Sequence, residues 1–506
     1  MKKLSPDLIR PALVVLVLSG FLSGCLPGPK YQKPSAPVAT APSYKESPAN
    51  FKDADGWKVA QPQEGMLRGK WWEIFNDPEL NALEEQVDIN NQNIKVYFEN
   101  YMAARAIIRE YKAQYWPTVT TAPSWSRSKS SGTLTNSSTA NTGHESTAWT
   151  LPLDVSWTPD FFGKIRSQVR EAQYGAQVSA ADLEVERLLE EAILAETYFN
   201  IRGQDELQRV LNDTVEADKK ALDLTQTQYE TGITGYISVV QARTTLETAE
   251  SQALNVGVAR EQYQHAIATL LGKPATDFSI PVKPLLITPP PVPIGLPSQL
   301  LERRPDVAAA ERTIAEANAT IGIGYGAFFP TVTLSATGGF QSSQFTKWFE
   351  WPSNFWSIGP QLSQTIFNGG LYRAALQQYT AQYNADIATY RQTVLTAFQQ
   401  VEDYLAATRI LSQQVLKQRD AVQSAQEYLN LEMDRYRSGL DPYIDVTIAQ
   451  TTLLSNQESL TTLSMQESVA AVELIQALGG GWDVSQLPTT AQVAEKPNKA
   501  DYARQK

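Results

Sequence analysis

The chain is poor in the side chains that carry covalent and metal chemistry. It has one cysteine (Cys25), two histidines (His144 and His265) and five methionines among 506 residues. One thiol excludes a disulfide framework and a thiolate metal site. The histidines, one in a polar loop and one in a helical stretch, support neither a metal centre nor general acid–base work. The scattered methionines form no copper relay. A phosphate loop is also missing. Gly322-Ile323-Gly324-Tyr325-Gly326 has no strand before it and no Lys-Ser/Thr after it, so it reads as a flexible helix end. Gly272-Lys273-Pro274 reads as a helix stop. No enzyme is expected. Basic charge is short as well: 43 Lys and Arg against 54 Asp and Glu leave −11. That balance argues against nucleic acid, whose phosphates need a basic face. No apolar run beyond Leu22 approaches the about 20 residues of a spanning helix. A chain of this kind crosses a membrane only as a closed β-barrel.

The N-terminus carries Lys2, Lys3 and Arg10 before an apolar run from Ala12 to Leu22, a secretory signal pattern. It ends in Leu22-Ser23-Gly24-Cys25. This resembles a bacterial lipoprotein processing box, which implies removal of residues 1–24 and acyl chains on Cys25. Each buried CH₂ adds about 0.8 kcal/mol, and two or more chains anchor stably. Leu26 follows the cysteine where inner-membrane lipoproteins often carry Asp, so the outer membrane is the expected destination. No cofactor is expected beyond this covalent lipid. Residues 25–76, rich in Pro, Ala and Ser up to about Gly65, read as an extended tether leaving the anchor.

What the chain does have is a long internal repeat, about 207 residues apart, far above solenoid periods. Gln228-Tyr229-Glu230-Thr231-Gly232-Ile233-Thr234-Gly235-Tyr236-Ile237 matches Arg435-Tyr436-Arg437-Ser438-Gly439-Leu440-Asp441-Pro442-Tyr443-Ile444. Tyr115-Trp116-Pro117 matches Phe328-Phe329-Pro330, and Phe161-Phe162-Gly163 matches Phe367-Asn368-Gly369. Two structural repeats follow, residues 77–272 and 297–482, joined by a Pro-rich strap (273–296) and followed by a tail (483–506).

Each repeat has the same plan. Asp77-Pro78 starts a helix that runs to Tyr115, and Pro305 starts its counterpart. Two amphipathic strands follow. Trp149, Leu151, Leu153, Val155 and Trp157 alternate with mostly polar residues, and Val119, Thr121, Pro123 and Trp125 form a weaker partner. In the second repeat the strands are Val332 to Phe340 and Trp356 to Ile366, with Trp348, Phe349, Trp351 and Phe355 in the loop between. Aromatics there suit a membrane girdle. Pro123, Pro152 and Pro360 weaken the strands they occupy. The loop Lys129 to Ser146 reads as a mobile turn. Long helices come next. Ile387, Val394, Val401, Thr408, Val415, Val422, Leu429 and Tyr436 fall seven apart, predicting a left-handed coiled coil. The span 370–437 is roughly 100 Å of helix at 1.5 Å per residue. It turns at Ser438-Gly439 and returns from Tyr443 to Leu478.

Four amphipathic strands do not close a barrel; eight are the minimum, and eight leave no passage. Twelve leave a lumen. The strand number itself therefore predicts a homo-oligomer, and a homotrimer if it conducts. The fold class is α+β, a four-stranded share of a 12-stranded barrel continued by a periplasmic helical barrel.

At these residues the chain resembles the outer-membrane efflux channels of the TolC/OprM type, in their lipoprotein branch. The matching segments are the Leu22 to Cys25 box, Leu300-Leu301-Glu302-Arg303-Arg304-Pro305-Asp306-Val307, Phe328-Phe329-Pro330, Phe367-Asn368-Gly369-Gly370 and Ala477-Leu478-Gly479-Gly480-Gly481-Trp482. The resemblance implies a trimer that takes small molecules from an inner-membrane resistance-nodulation-division transporter through a periplasmic adaptor and releases them across the outer membrane. It also implies a gate at the periplasmic helical tips. The second tip offers Arg437, Asp441, Tyr443, Ile444 and Asp445, with Arg437 expected to tie one tip to its neighbour. The first offers Tyr236 and Ile237. The aspartate and arginine that related channels place deeper correspond to Ile448 and Thr451, so the expected gate is closed by Ile444 and Ile448 with Asp445 as its acidic element. A type I protein secretion duct shares the fold and is one alternative. A poreless periplasmic coiled-coil scaffold is another.

Overall fold

A computed structural model describes residues 28–36, 44–46, 69–131, 145–285, 289, 290, 292 and 301–497. Cys25, His144, most of the 129–146 loop, part of the Pro-rich strap and the last nine residues lie outside that set. His265 sits exposed on a helix, 4.0 Å from Glu261.

Two short helices open the first repeat, α1 (Pro78–Asn90) and α2 (Gln92–Ala113). Asp77 caps α1 by accepting from the Glu79 amide at 2.9 Å, with Pro78 at the first helical position. The expected single helix is broken at Asn91. Its side chain accepts from the amides of Asn93 and Ile94, at 2.8 and 3.2 Å, and so starts a second helix. A residue that bonds its own backbone competes with helix continuation.

The strands are β1 (Thr118–Thr121), β2 (Ser124–Lys129), β3 (Glu145–Trp157), β4 (Thr331–Ser342) and β5 (Asn354–Ser363). β1 and β2 both pair with β3, in register with one another. They are one strand interrupted at Ala122-Pro123, where proline cannot donate to the ladder. The sheet order is thus β1/β2, β3, β4, β5, all antiparallel. β5 ends at Ser363, so Ile366 lies beyond the sheet. Pro152 faces Gly339 across the β3–β4 ladder. A Cβ at Gly339 would lie 2.0 Å from the Leu151 carbonyl oxygen, so only glycine lets the strands meet there. Pro360 sits on β5, which within one chain pairs only with β4.

The register decides what each face carries. Val119 lies opposite Val155, Trp125 opposite Trp149, Phe340 opposite Leu151, Ala336 opposite Val155 and Ile358 opposite Ala336. Apolar side chains therefore align across every strand on one face, because residues opposite each other point the same way. The other face carries Thr120, Asp154, Thr337 and Gln361; the Thr337 hydroxyl donates to Asp154 Oδ1 at 2.7 Å. Trp125, Trp149, Phe345, Trp348 and Phe349 stack against one another at one end of the sheet.

The long helices repeat to the residue. α3 (Lys164–Glu230) and α6 (Leu371–Arg437) have 67 residues each; α4 (Tyr236–Leu270) and α7 (Tyr443–Ala477) have 35 each. α5 (Pro305–Gly326) has 22, as α2 has. All four hairpin-helix ends turn on a left-handed glycine, at Gly232, Gly272, Gly439 and Gly479. At the tips the Ile233 amide donates to Gln228 O at 2.8 Å and the Leu440 amide to Arg435 O at 3.0 Å, the six-to-one bond that closes a helix C-terminus. On α6 the heptad residues Val394, Val401, Val415 and Tyr436 are buried, with Tyr390 and Ala397 from the companion position. Equivalence reaches single contacts: Asn91 donates to the Leu270 carbonyl at 3.1 Å, and Arg304, in the matching place before α5, donates to the Ala477 carbonyl at 3.0 Å.

Gly322 to Gly326 form the C-terminal end of α5, the helix end expected there, and pack closely. A Cβ on Gly324 would come within 2.8 Å of the Tyr379 ring. The described parts of the tether lie against the helices. Asn318 donates to the Pro29 carbonyl at 3.1 Å and Tyr31 bonds Glu311, both on α5. Further on, the Lys45 and Glu46 amides donate to Glu402 at 2.7 and 3.0 Å, and Arg409 pairs with Glu46 at 2.6 Å. Residues 483–497 also pack, with Val493 fully buried and Arg105 donating to its carbonyl.

A buried charge network holds α1 and both helices of the first repeat's hairpin to the strap. Arg202 on α3 pairs with Glu79 at 2.7 Å and Asp205 at 3.0 Å, donates to the Pro281 carbonyl at 2.6 Å, and covers the Tyr198 ring at 4.7 Å. Arg260 on α4 pairs with Asp205 at 2.6 Å and donates to the Ile280 carbonyl.

Candidate functional site

The two tips lie where the long hairpins turn, at 231–235 and 438–442. Each carries a tyrosine pair from matching positions. Tyr229 and Tyr236 stand 5.4 Å apart at the first tip, and Tyr436 and Tyr443 stand 5.2 Å apart at the second. Their surroundings differ. Tyr236 is 53% exposed and Ile237 70%, whereas Tyr443 is 2% exposed. Tyr436 and Tyr443 form a small core with Val446 and with Ala221 and Ala242 of the first hairpin. Tyr443, expected among the gate residues, is therefore part of the seam between hairpins. Its hydroxyl is pushed well above its ordinary value by burial, and by the charge of Asp218.

Within one chain the charged residues of the second tip pair locally. Arg437 is exposed and lies 3.6 Å from Asp434, one turn back on its own helix. The partner of Asp441 is Arg435, which spans the turn with Nε and Nη2 on the two carboxylate oxygens. That bond holds the Asp441 carboxyl below its usual range. Glu432 stands close by, its carboxyl raised by desolvation and then by Asp441. Arg435 and Glu432 were not among the expected site residues. Within the sequence only the spacing of Arg435 and Asp441 across a glycine turn hints at the pairing.

Ile444 and Ile448 are 43% and 51% exposed. With Thr451 they occupy positions four and seven residues apart, one stripe of α7. Asp445 is half-buried in the first turn of the same helix, where a negative charge suits the positive helix end. Ile444, Ile448 and Asp445 are thus brought together on one hairpin end, next to the Arg435–Asp441 clasp. Cys25 lies outside the described residues. Gly28, three residues on, packs against Gly322 near the end of α5 that leads into β4. Among the described residues no cluster of His, Cys, Asp and Glu is arranged to hold a metal ion. No described helix is long and apolar enough to cross a membrane.

Known proteins share this architecture. The family profile for outer membrane efflux proteins matches residues 83–273 and 296–480, close to the two repeats. The toluene efflux pump outer membrane protein TtgC of Pseudomonas putida is 33% identical over 482 residues, covering 93% of this chain and 96% of the relative. The outer membrane protein OprJ of Pseudomonas aeruginosa is 30% identical over 487 residues, covering 94% and 97%. The solved outer-membrane channel OprN superposes with a TM-score of 0.81 at 27% identity, covering 90% of this chain and all of that one. The Campylobacter jejuni channel CmeC gives 0.83 over 95% and 99%, a likeness of fold at 22% identity. With paired repeats, a sheet greasy on one face and helices of matched length all in place, the chain belongs to the outer membrane efflux protein family and is an outer-membrane efflux channel, a transport protein and not an enzyme.

Proposed function

We propose that three copies close a 12-stranded barrel, and that the duct so formed passes drugs, solvents or other small molecules delivered by a periplasmic adaptor and an inner-membrane resistance-nodulation-division transporter. The observation that supports this most is the sheet. Its apolar face is continuous over all its strands, while β1/β2 and β5 end it with edges that pair with nothing else among the described residues. An open edge in lipid leaves backbone groups unsatisfied, each costing several kcal/mol, so β5 of one copy meets β1/β2 of the next. Lipid on Cys25 fits the placement of the tether. Three residues span at most about 10 Å, which keeps the acyl chains beside the foot of the barrel. The tips close the duct, with Ile444 and Ile448 as its apolar stricture and Asp445 as its acidic element, and partners must favour the open state differentially to open it.

A deletion strain tests the reading. It should retain toluene and dyes, and the wild-type gene should restore their efflux. Loss of protein secretion with normal dye efflux would instead make the duct one for protein. In planar bilayers Asp445→Ala should raise the closed-state leak severalfold and weaken cation preference. An unchanged leak removes Asp445 from the gate.

A further inference from the structure

The second tip is joined to the first hairpin by a polar pair set in an otherwise apolar seam. Asp218 on α3 is 2% exposed and Gln450 on α7 is 7% exposed. Gln450 Nε2 donates to Asp218 Oδ1 at 2.8 Å. The remaining polar atoms of the pair, Asp218 Oδ2 and Gln450 Oε1, are buried and have no hydrogen-bond partner. Both are acceptors while Asp218 is ionised, and two buried orphan acceptors in one seam are costly. One proton removes both. A carboxylic acid O–H donates to the amide oxygen while the amide N–H donates to the acid carbonyl, and the pair closes with two reciprocal bonds.

The surroundings favour the neutral acid. Tyr443 of α7 and Tyr436 of α6 are the titratable side chains packed in this seam. α4 contributes Ala242; α3 contributes Ala221 and Thr225, whose hydroxyl is bonded to the Ala221 carbonyl. Lys219 and Lys220, next in sequence, are exposed, and Lys219 pairs with Glu216. Among the described residues Asp218 forms no ion pair. Burial pushes its carboxyl up to about 6.

We propose that Asp218 is a proton-dependent positioning residue of the tip: as the neutral acid it latches the second hairpin to the first through Gln450, and on ionisation it releases one of the two bonds. This rests on the channel reading above. The two helices of one hairpin share a short turn and a continuous seam, so opening moves hairpin against hairpin, and the latch crosses that joint. The latch is raised in proton affinity relative to a hydrated carboxyl. It is fully formed below about pH 4 and is lost as pH rises through about 6. For one carboxyl going from the ordinary value of 3.8 to about 6 on closure, the closed-to-open ratio falls roughly 25-fold per protomer between about pH 4.5 and 7.5.

Spin labels on Ile233→Cys and Leu440→Cys, in the lipidated protein whose lone native thiol, Cys25, is taken up by its lipid, report the distance between the tips of the two hairpins. Both positions are exposed, 70% and 68%. The trimer should give a narrow distance distribution near pH 4.5 that broadens near pH 7.5. Bilayer leak should rise over the same range. Asp218→Asn forms a reciprocal amide–amide pair at every pH, so its distances should stay narrow and its leak low and independent of pH. Gln450→Met should broaden the distances at both pH values. Wild type and Asp218→Asn sharing one pH profile would overturn the latch, as would a wild type indifferent to pH. Distances that move with pH in trimers carrying no current would uphold the latch and count against the duct instead.

Discussion

Replacing Arg202 and Arg260 with methionine, singly and together, tests whether the charge network holds the strap. The Arg202 side chain is 2% exposed and the Asp205 side chain is fully buried. Asp205 has two cations, Arg202 at 3.0 Å and Arg260 at 2.6 Å, and also accepts from the Lys283 amide at 2.9 Å. Removing one partner of a buried pair typically costs about 3–5 kcal/mol, because the other charge is left uncompensated. Here neither single change leaves Asp205 without a cation. Glu79, the other partner of Arg202, is 28% exposed and rehydrates. Each single substitution should therefore fall at or below the low end, about 2–3 kcal/mol. The double variant strands Asp205, so its cost should exceed the sum of the singles by about 1–3 kcal/mol, a coupling typical of residues in one network. The assay is thermal conversion of the detergent-solubilised trimer, followed by loss of helical circular dichroism and by heat-modified migration. Strict additivity, or a neutral double variant, would refute the assignment of Asp205 as the shared centre.

Gly339→Ala places a methyl on the Leu151 carbonyl and should cost at least the about 1–3 kcal/mol of an overpacked site, seen as fewer trimers in the outer membrane at unchanged helical content; normal trimer yield would show that the strands part easily at Pro152. Arg435→Gln removes the clasp on Asp441. Both groups are solvent-reached, so trimer stability should be essentially unchanged while closed-state leak rises, and a silent leak would leave the clasp without a role in closure.

Much of this fold was legible because its periods are strong. Seven-residue spacing over α6 buries one face, two-residue spacing over β3 gathers the apolar side chains on one face, and nothing nearby competes with them. Pro123, expected to weaken its strand, interrupts it, and Asn91 defeated the reading of one continuous helix, both for local reasons. One removes a donor from a ladder, and the other accepts backbone bonds that end one helix and begin the next. The packing of the tether was not legible because its partners, Glu311, Asn318, Glu402 and Arg409, lie hundreds of residues away and leave no local trace. At the tips the residue types were readable and their partners were not. Tyr236 and Tyr443 occupy equivalent places in the repeat, yet one is exposed and the other buried. The difference arises from which hairpin lies against which, and a repeat seen only as sequence is symmetric in that respect. The Asp218–Gln450 pair was invisible for the same reason, since 232 residues separate them.

The unfinished sheet also makes membrane entry a collective act. A lone copy carries two open ladders, so for it the bilayer is a worse solvent than water, whereas three copies joined edge to edge present only grease. Partition into lipid thus screens for complete sets. A variant damaged at either border strand should be rejected before insertion, together with the healthy copies it has recruited, and so act dominantly.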